Sequence, residues 1–124
     1  APNGPAQEEM ILKAVREARI TPPESTCWEC HGTGTSLGDP IEVGAVRRVQ
    51  IKTPRTEPLI LSTAKSNIGH LEGGAAMGGI VKCILEVMHS QGFASLHVRQ
   101  LNAHLESAAF EAFYATELVD FVHE

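Results

Sequence analysis

What constrains the fold of this chain most is the way helical and strand patterning alternate along it. Asn3 is placed to cap a helix and Pro5 lies in its first turn. Apolar residues then fall at Ile11, Ala14, Val15 and Ala18, the i, i+3, i+4, i+7 spacing of one helix face, which predicts a helix over about residues 5 to 19. Thr21-Pro22-Pro23-Glu24-Ser25 breaks it, and Thr26 to Cys30 reads as a short strand running into a glycine- and threonine-rich loop. Asp39 as N-cap, Pro40 at N1 and Glu42 at N3 spell a capping box, predicting a second helix to about Lys52. Leu59 to Ala64 suits a buried strand, and Lys65 to Glu72 a polar loop. From Gly73, the set Ala76, Ile80, Cys83, Ile84, Val87 and Met88 has helical spacing until Gln91-Gly92. Gly73, Gly74, Gly78 and Gly79 in its first turns suggest close backbone packing. Phe93 to Val98 predicts a third strand, and the tail from Leu101 is mixed. The order helix, strand, helix, strand, helix, strand implies an α/β layer architecture with parallel pairing. So thin a sheet, opened by a helix with no strand before it, is expected to be part of a larger domain.

Composition removes several functional classes. With 10 Lys+Arg against 15 Asp+Glu the formal charge is −5, which argues against a nucleic-acid surface. The longest mainly apolar run without charge, Gly73 to Val81, is too short to span a bilayer, so no membrane role is expected. Three cysteines are an odd number and make no disulfide framework. No basic and apolar leader is visible at Ala1-Pro2-Asn3-Gly4-Pro5, which agrees with a cytoplasmic location, an organelle being the alternative.

In open α/β sheets, ligands gather at the carboxyl ends of strands. His31 directly follows the first strand, His70 lies in the loop after the second, and Lys65 stands at the mouth of that second strand. Two imidazoles and one ammonium in one pocket can donate to a developing oxyanion or carboxylate. A lone histidine is more often structural, the default for His89, His97, His104 and His123, but two at equivalent βα turns point to chemistry. Gly32-Thr33-Gly34-Thr35 fails the dinucleotide fingerprint, because glycine would be needed at Leu37. Its two hydroxyls could bond an amide-bearing chain or their own backbone. Cys27-Trp28-Glu29-Cys30-His31 spells C-x-x-C-H, a c-type haem attachment signal with Met77 or Met88 as a second axial ligand. Cys27, Cys30 and His31 with a distant histidine also read as a zinc site, though no second close pair completes the four ligands. The pattern specifies only three residues, and Cys83 sits on the apolar face of its helix.

Taken together, these segments resemble the β-ketoacyl synthase family, the condensing enzymes of polyketide and fatty acid synthesis, in the modular type I style. Ala1-Pro2-Asn3-Gly4-Pro5-Ala6-Gln7 is similar to the family's A-P-N-G-P-x-Q. Residues Glu29 to Glu42 match E-x-H-G-T-G-T-x-x-G-D-P-x-E, and Lys65 to Glu72 match K-S-N-I-G-H-x-E. The resemblance carries a motif-bearing core over residues 1 to 102, with a tail over 103 to 124, in a single partial domain.

It implies a thiolase-like fold of αβαβα layers, of which this chain would be most of the second half. It implies His31 and His70 as the histidines that promote decarboxylation and stabilise the enolate and oxyanion. Lys65 would be an orienting and electrostatic group, and Thr33 and Thr35 hydroxyls that hold a phosphopantetheine arm. No cofactor or metal would be bound by the domain itself, the arm of acyl carrier protein serving as substrate carrier. The implied partners are acyl carrier protein, acyl and malonyl-type thioesters, the N-terminal half of the domain, and a second copy in a homodimer. The sequence departs from the family where no D-T-A-C-S segment occurs, so the acyl-accepting nucleophile is missing and these residues alone are expected to be inactive. Ala76 stands where the family has glycine, and Ala103 where it has proline. A module that binds an acyl carrier or another partner without catalysis, and more remotely a haem protein, are the alternatives.

Overall fold

The computed structural model describes residues 1–96, 98, 100–105 and 110–121. Helix α1 (Gly4–Ala18) starts where the Asn3 side chain accepts the Ala6 N–H at 3.0 Å, and ends at Arg19 in the left-handed region. There follow β1 (Cys27–Glu29), α2 (Gly38–Gln50), β2 (Leu59–Ser62), the single turn α3 (Lys65–Ile68) and α4 (Ala75–His89). The remaining strands are short: β3 (Gln91–Gly92), β4 (Ala112–Tyr114) and β5 (Val119–Asp120). The expected helices and first two strands are present with ends shifted by a few residues. The segment read as a polar loop, Lys65 to Glu72, instead contains α3 and enters a 3-10 turn at Glu72–Gly74.

The main sheet runs β1-β2-β4 with both pairings parallel, as the alternation implies. Its third strand is not the expected Phe93 to Val98 but β4, from the unassigned tail. Within the expected strand, the Phe93 N–H goes to the Glu86 carboxylate at 3.0 Å and the Ser95 N–H to the Ala115 carbonyl at 2.7 Å. Those amides have partners outside any ladder, so the chain passes beside the sheet. Gln91–Gly92 pairs antiparallel with β5, and His97 lies outside the described residues.

The pleat divides β2 between two layers. Leu59 and Leu61 point to a core built with Ile11 and Val15 of α1 and Val43, Val46 and Val49 of α2. Each such side chain taken from water stabilises the fold by about 1.5–3 kcal/mol. Ser62 points the other way, onto α4, where its hydroxyl meets Lys82 at 2.6 Å. β1 alternates likewise, with Trp28 and Cys30 on the core side and Cys27 and Glu29 on the α4 side.

The expected helix from Gly73 is present as α4, but its apolar stripe is turned away from the sheet: Ile84 is 53 % exposed and Met88 72 %, while the buried residues of the helix are Lys82 and Glu86. Close glycine packing occurs at only part of the expected set. A Cβ on Gly79 would lie 3.2 Å from Glu29 Cγ and one on Gly78 3.0 Å from Leu71 Cδ1, but one on Gly73 would meet nothing within 4 Å.

Candidate active site

β1 delivers His31 to the carboxyl edge of the sheet, where the Cys30 N–H makes a last bond to the Ser62 carbonyl at 2.7 Å. Beyond it the amides of the glycine-rich loop have no ladder to join, and carboxylates of α2 take them. Glu42 accepts from the His31 N–H at 2.6 Å and the Gly32 N–H at 3.1 Å, and Asp39 accepts from the Gly34 N–H at 3.1 Å. The expected capping box is therefore not formed. α2 starts at Gly38, whose N–H is satisfied by the Thr35 hydroxyl at 3.0 Å. Asp39 remains in the first turn, where the helix dipole favours negative charge, and Glu42 follows it in the second, but both are spent on the loop.

Lys65 opens α3 at the end of β2 and brings its ammonium to 3.4 Å from His31 Nδ1. His70 lies between α3 and the turn before α4, its ring edge-on to that of His31 with centroids 5.8 Å apart and planes at 87°. The Glu72 N–H donates to His70 Nδ1 at 2.8 Å, from a backbone held at φ 48°. An ammonium and an amide N–H can only donate, so in each neutral ring Nδ1 accepts and the proton resides on Nε2. Thus the three residues singled out by position converge, and each imidazole keeps an N–H for an incoming oxygen.

Thr33 and Thr35 follow in the same loop, their hydroxyls 3.5 Å apart. With His31 they line an open cleft of about 770 Å³ bordered by Asn3, Gln7 and Met10. His31 also borders a second cleft of about 750 Å³, where Lys65 faces Ile80, Ile84 and Met88 of α4. His31 thus borders both grooves, the one that holds the Thr33 and Thr35 hydroxyls and the one that holds Lys65.

The cysteines are placed for neither metal nor nucleophilic chemistry. The Cys27 thiol donates to Glu86 at 3.6 Å on the α4 side, and burial pushes it up to about 12. Cys30 is buried on the opposite side of the strand, and burial raises it further still. Cys83 is half-buried and also raised by burial. Since the pleat sends Cys27 and Cys30 to opposite faces, the C-x-x-C-H pattern cannot close on one haem or one zinc ion. Among the described residues no three His, Cys, Asp or Glu side chains are grouped to hold a metal. No helix there is long and apolar enough to cross a membrane.

The sequence reading missed Glu29, Lys82 and Glu86, which form a buried charged cluster under the site. Lys82 Nζ lies 2.6 Å from Glu29 Oε2 and 3.5 Å from Glu86 Oε1. A charged i, i+4 pair inside an otherwise apolar helix was the available signal.

Comparison with known proteins agrees with the motifs. Residues 1–99 match the model of the β-ketoacyl synthase C-terminal domain. The chain is 42 % identical over 110 residues to a naringenin synthase of Pestalotiopsis fici, an alignment covering 86 % of this chain and 4 % of that protein. It is 41 % identical over 113 residues to an erythronolide synthase of Saccharopolyspora erythraea, covering 90 % of this chain and 3 % of that one. Among solved structures, an oxazolomycin ketosynthase domain from Streptomyces albus superposes with a TM-score of 0.91 at 34 % identity. That match covers 100 % of this chain and 22 % of the other. A ketosynthase of the bacillaene polyketide synthase of Bacillus amyloliquefaciens gives 0.91 at 26 % identity, with the same coverage. The chain therefore spans a small part of its curated relatives and about a fifth of a ketosynthase chain.

Proposed function

Because this chain belongs to the β-ketoacyl synthase family as its C-terminal domain and has the thiolase-like ketosynthase fold, we propose that it supplies the decarboxylation and oxyanion site of a condensing enzyme. The enzyme joins an acyl thioester to a malonyl-type extender carried by acyl carrier protein, in polyketide or fatty acid synthesis. One observation supports the reading: two imidazoles meet edge-to-face with centroids 5.8 Å apart, each with a donor at Nδ1, which leaves Nε2 of each neutral ring as an N–H.

When the C–C bond to the extender carboxylate breaks, carbon dioxide leaves and the electron pair moves onto the thioester as an enolate. Imidazole donors aimed at that oxygen lower the barrier without giving up a full proton. The enolate carbon then attacks the acyl carbonyl, and the tetrahedral oxyanion collapses with loss of a thiolate. That thiolate belongs to an acyl-accepting cysteine outside these residues, since Cys27, Cys30 and Cys83 are held protonated by burial. Thr33 and Thr35 are suited to bond the amides of a phosphopantetheine arm, and Lys65 orients His31. In the assembled enzyme the N-terminal half of the domain and a second copy of it, as a homodimer, complete the site's surroundings.

The test is made in the intact synthase. His31→Ala and His70→Ala should each slow decarboxylation of a malonyl thioester by on the order of 10²- to 10³-fold while sparing acylation of the cysteine. The double variant should lose much less than the product of the single losses. Equal loss of acylation and decarboxylation, with a matching fall in melting temperature, would remove both histidines from the reaction.

A further inference from the structure

We propose that Lys82 is a positioning residue for the histidine site, one buried ammonium that ties together the three segments carrying His31, Lys65 and His70. Lys82 is 7 % exposed on the sheet side of α4, the helix that follows the His70 segment. Its Nζ donates to Glu29 Oε2 at 2.6 Å and to the Ser62 hydroxyl at 2.6 Å, and faces Glu86 Oε1 at 3.5 Å. Glu29 ends β1, two residues before His31, and its other oxygen accepts the N–H of Ala64, the residue before Lys65. Ser62 ends β2. A single carboxylate therefore clamps the mouths of both strands, and Lys82 fixes its rotamer from the third element.

Two further features fit this role. Gly79 lets α4 approach, since a Cβ there would lie 3.2 Å from Glu29 Cγ. Glu86 is 0 % exposed and anchors the other end of the cluster, accepting from the Phe93 N–H at 3.0 Å and the Cys27 thiol at 3.6 Å. Buried ion pairs add little stability over an apolar filling of the same volume, but they fix direction. Here the direction fixed is that of the loops holding the reacting groups, which must be set to a fraction of an ångström.

The inference rests on the condensing role proposed above, and its test separates the two. In the intact synthase, Lys82→Met should slow decarboxylation of a malonyl thioester by on the order of 10²-fold. Acylation of the cysteine should change by less than about threefold, and Lys82→Arg should recover part of the loss. If Lys82→Met does not fold, Glu29→Gln carries the same expectation, because Lys82 keeps Glu86 as its partner. A uniform loss of both partial reactions, tracking the melting temperature in either variant, would overturn the positioning role. Failure of the unsubstituted enzyme to decarboxylate the extender would overturn the condensing reading instead.

Discussion

Glu42, early in α2, holds the backbone amide of His31 at 2.6 Å, so a helix and the loop that leaves the first strand share one carboxylate. The same carboxylate takes the Gly32 amide. Hydrogen bonds to a charged acceptor contribute about 1.5–3 kcal/mol each. The bond to His31 is exposed, so Glu42→Ala should lower the unfolding free energy of the intact domain by about 1.5–3 kcal/mol, the value of one such bond, and Glu42→Gln by less. Denaturant titration of the variants measures both.

Gly32 sits at φ +50°, and a Cβ there would lie 2.9 Å from the Thr63 side chain. Gly32→Ala combines a strained backbone with that collision and should cost about 1–3 kcal/mol. A shift of Thr63 should also disturb the Lys65 amide, which donates to the Thr63 hydroxyl at 3.3 Å. A variant as stable and as active as the parent would contradict this placement of the loop.

Stability should fall on the alkaline side. The Cys27 thiol titrates near 9.0 when exposed but is pushed up to about 12 by burial and the neighbouring Glu86 carboxylate. Between those values the unfolded chain releases a proton that the folded chain keeps, so unfolding gains as pH rises. The contribution is complete below about pH 9 and is lost toward about pH 12. Melting temperatures compared between parent and Cys27→Ser should show a shallower alkaline decline in the variant.

These 124 residues, expressed alone, should form no acyl-enzyme. Incubation with a labelled acyl thioester should leave no adduct on Cys27, Cys30 or Cys83 above the rate of a free thiol, because burial holds all three protonated. Fast, saturable labelling of any one of them would show that it is a nucleophile and overturn this expectation.

Helix α1 was readable because a cap and a periodic apolar face agree over its length. The meeting of His31, His70 and Lys65 was readable because parallel strands deliver their βα turns to one edge. β4 was not, since Ala112–Tyr114 is too short to carry a pattern and its identity comes from its register against Leu59, Ile60 and Leu61. Asp39 and Glu42 misled for a related reason. Their spacing suits a capping box, but the amides of Gly34, His31 and Gly32 competed for them across space. Periodicity also told which residues of α4 share a face, though not that Lys82 and Glu86 would be on the side turned to the sheet.

The inverted orientation of α4 bears on recombination between synthases. Its outward side chains, with Ile80 52 % and Val87 71 % exposed, form a relief that whatever packs on them must fit knob by knob. Its inward side is locked to Glu29 by charge. A crossover that exchanges this segment between two parents therefore keeps the His31 and His70 loops in place but mismatches the outer relief, and chimeras should fail first in assembly and only afterwards in the proposed chemistry.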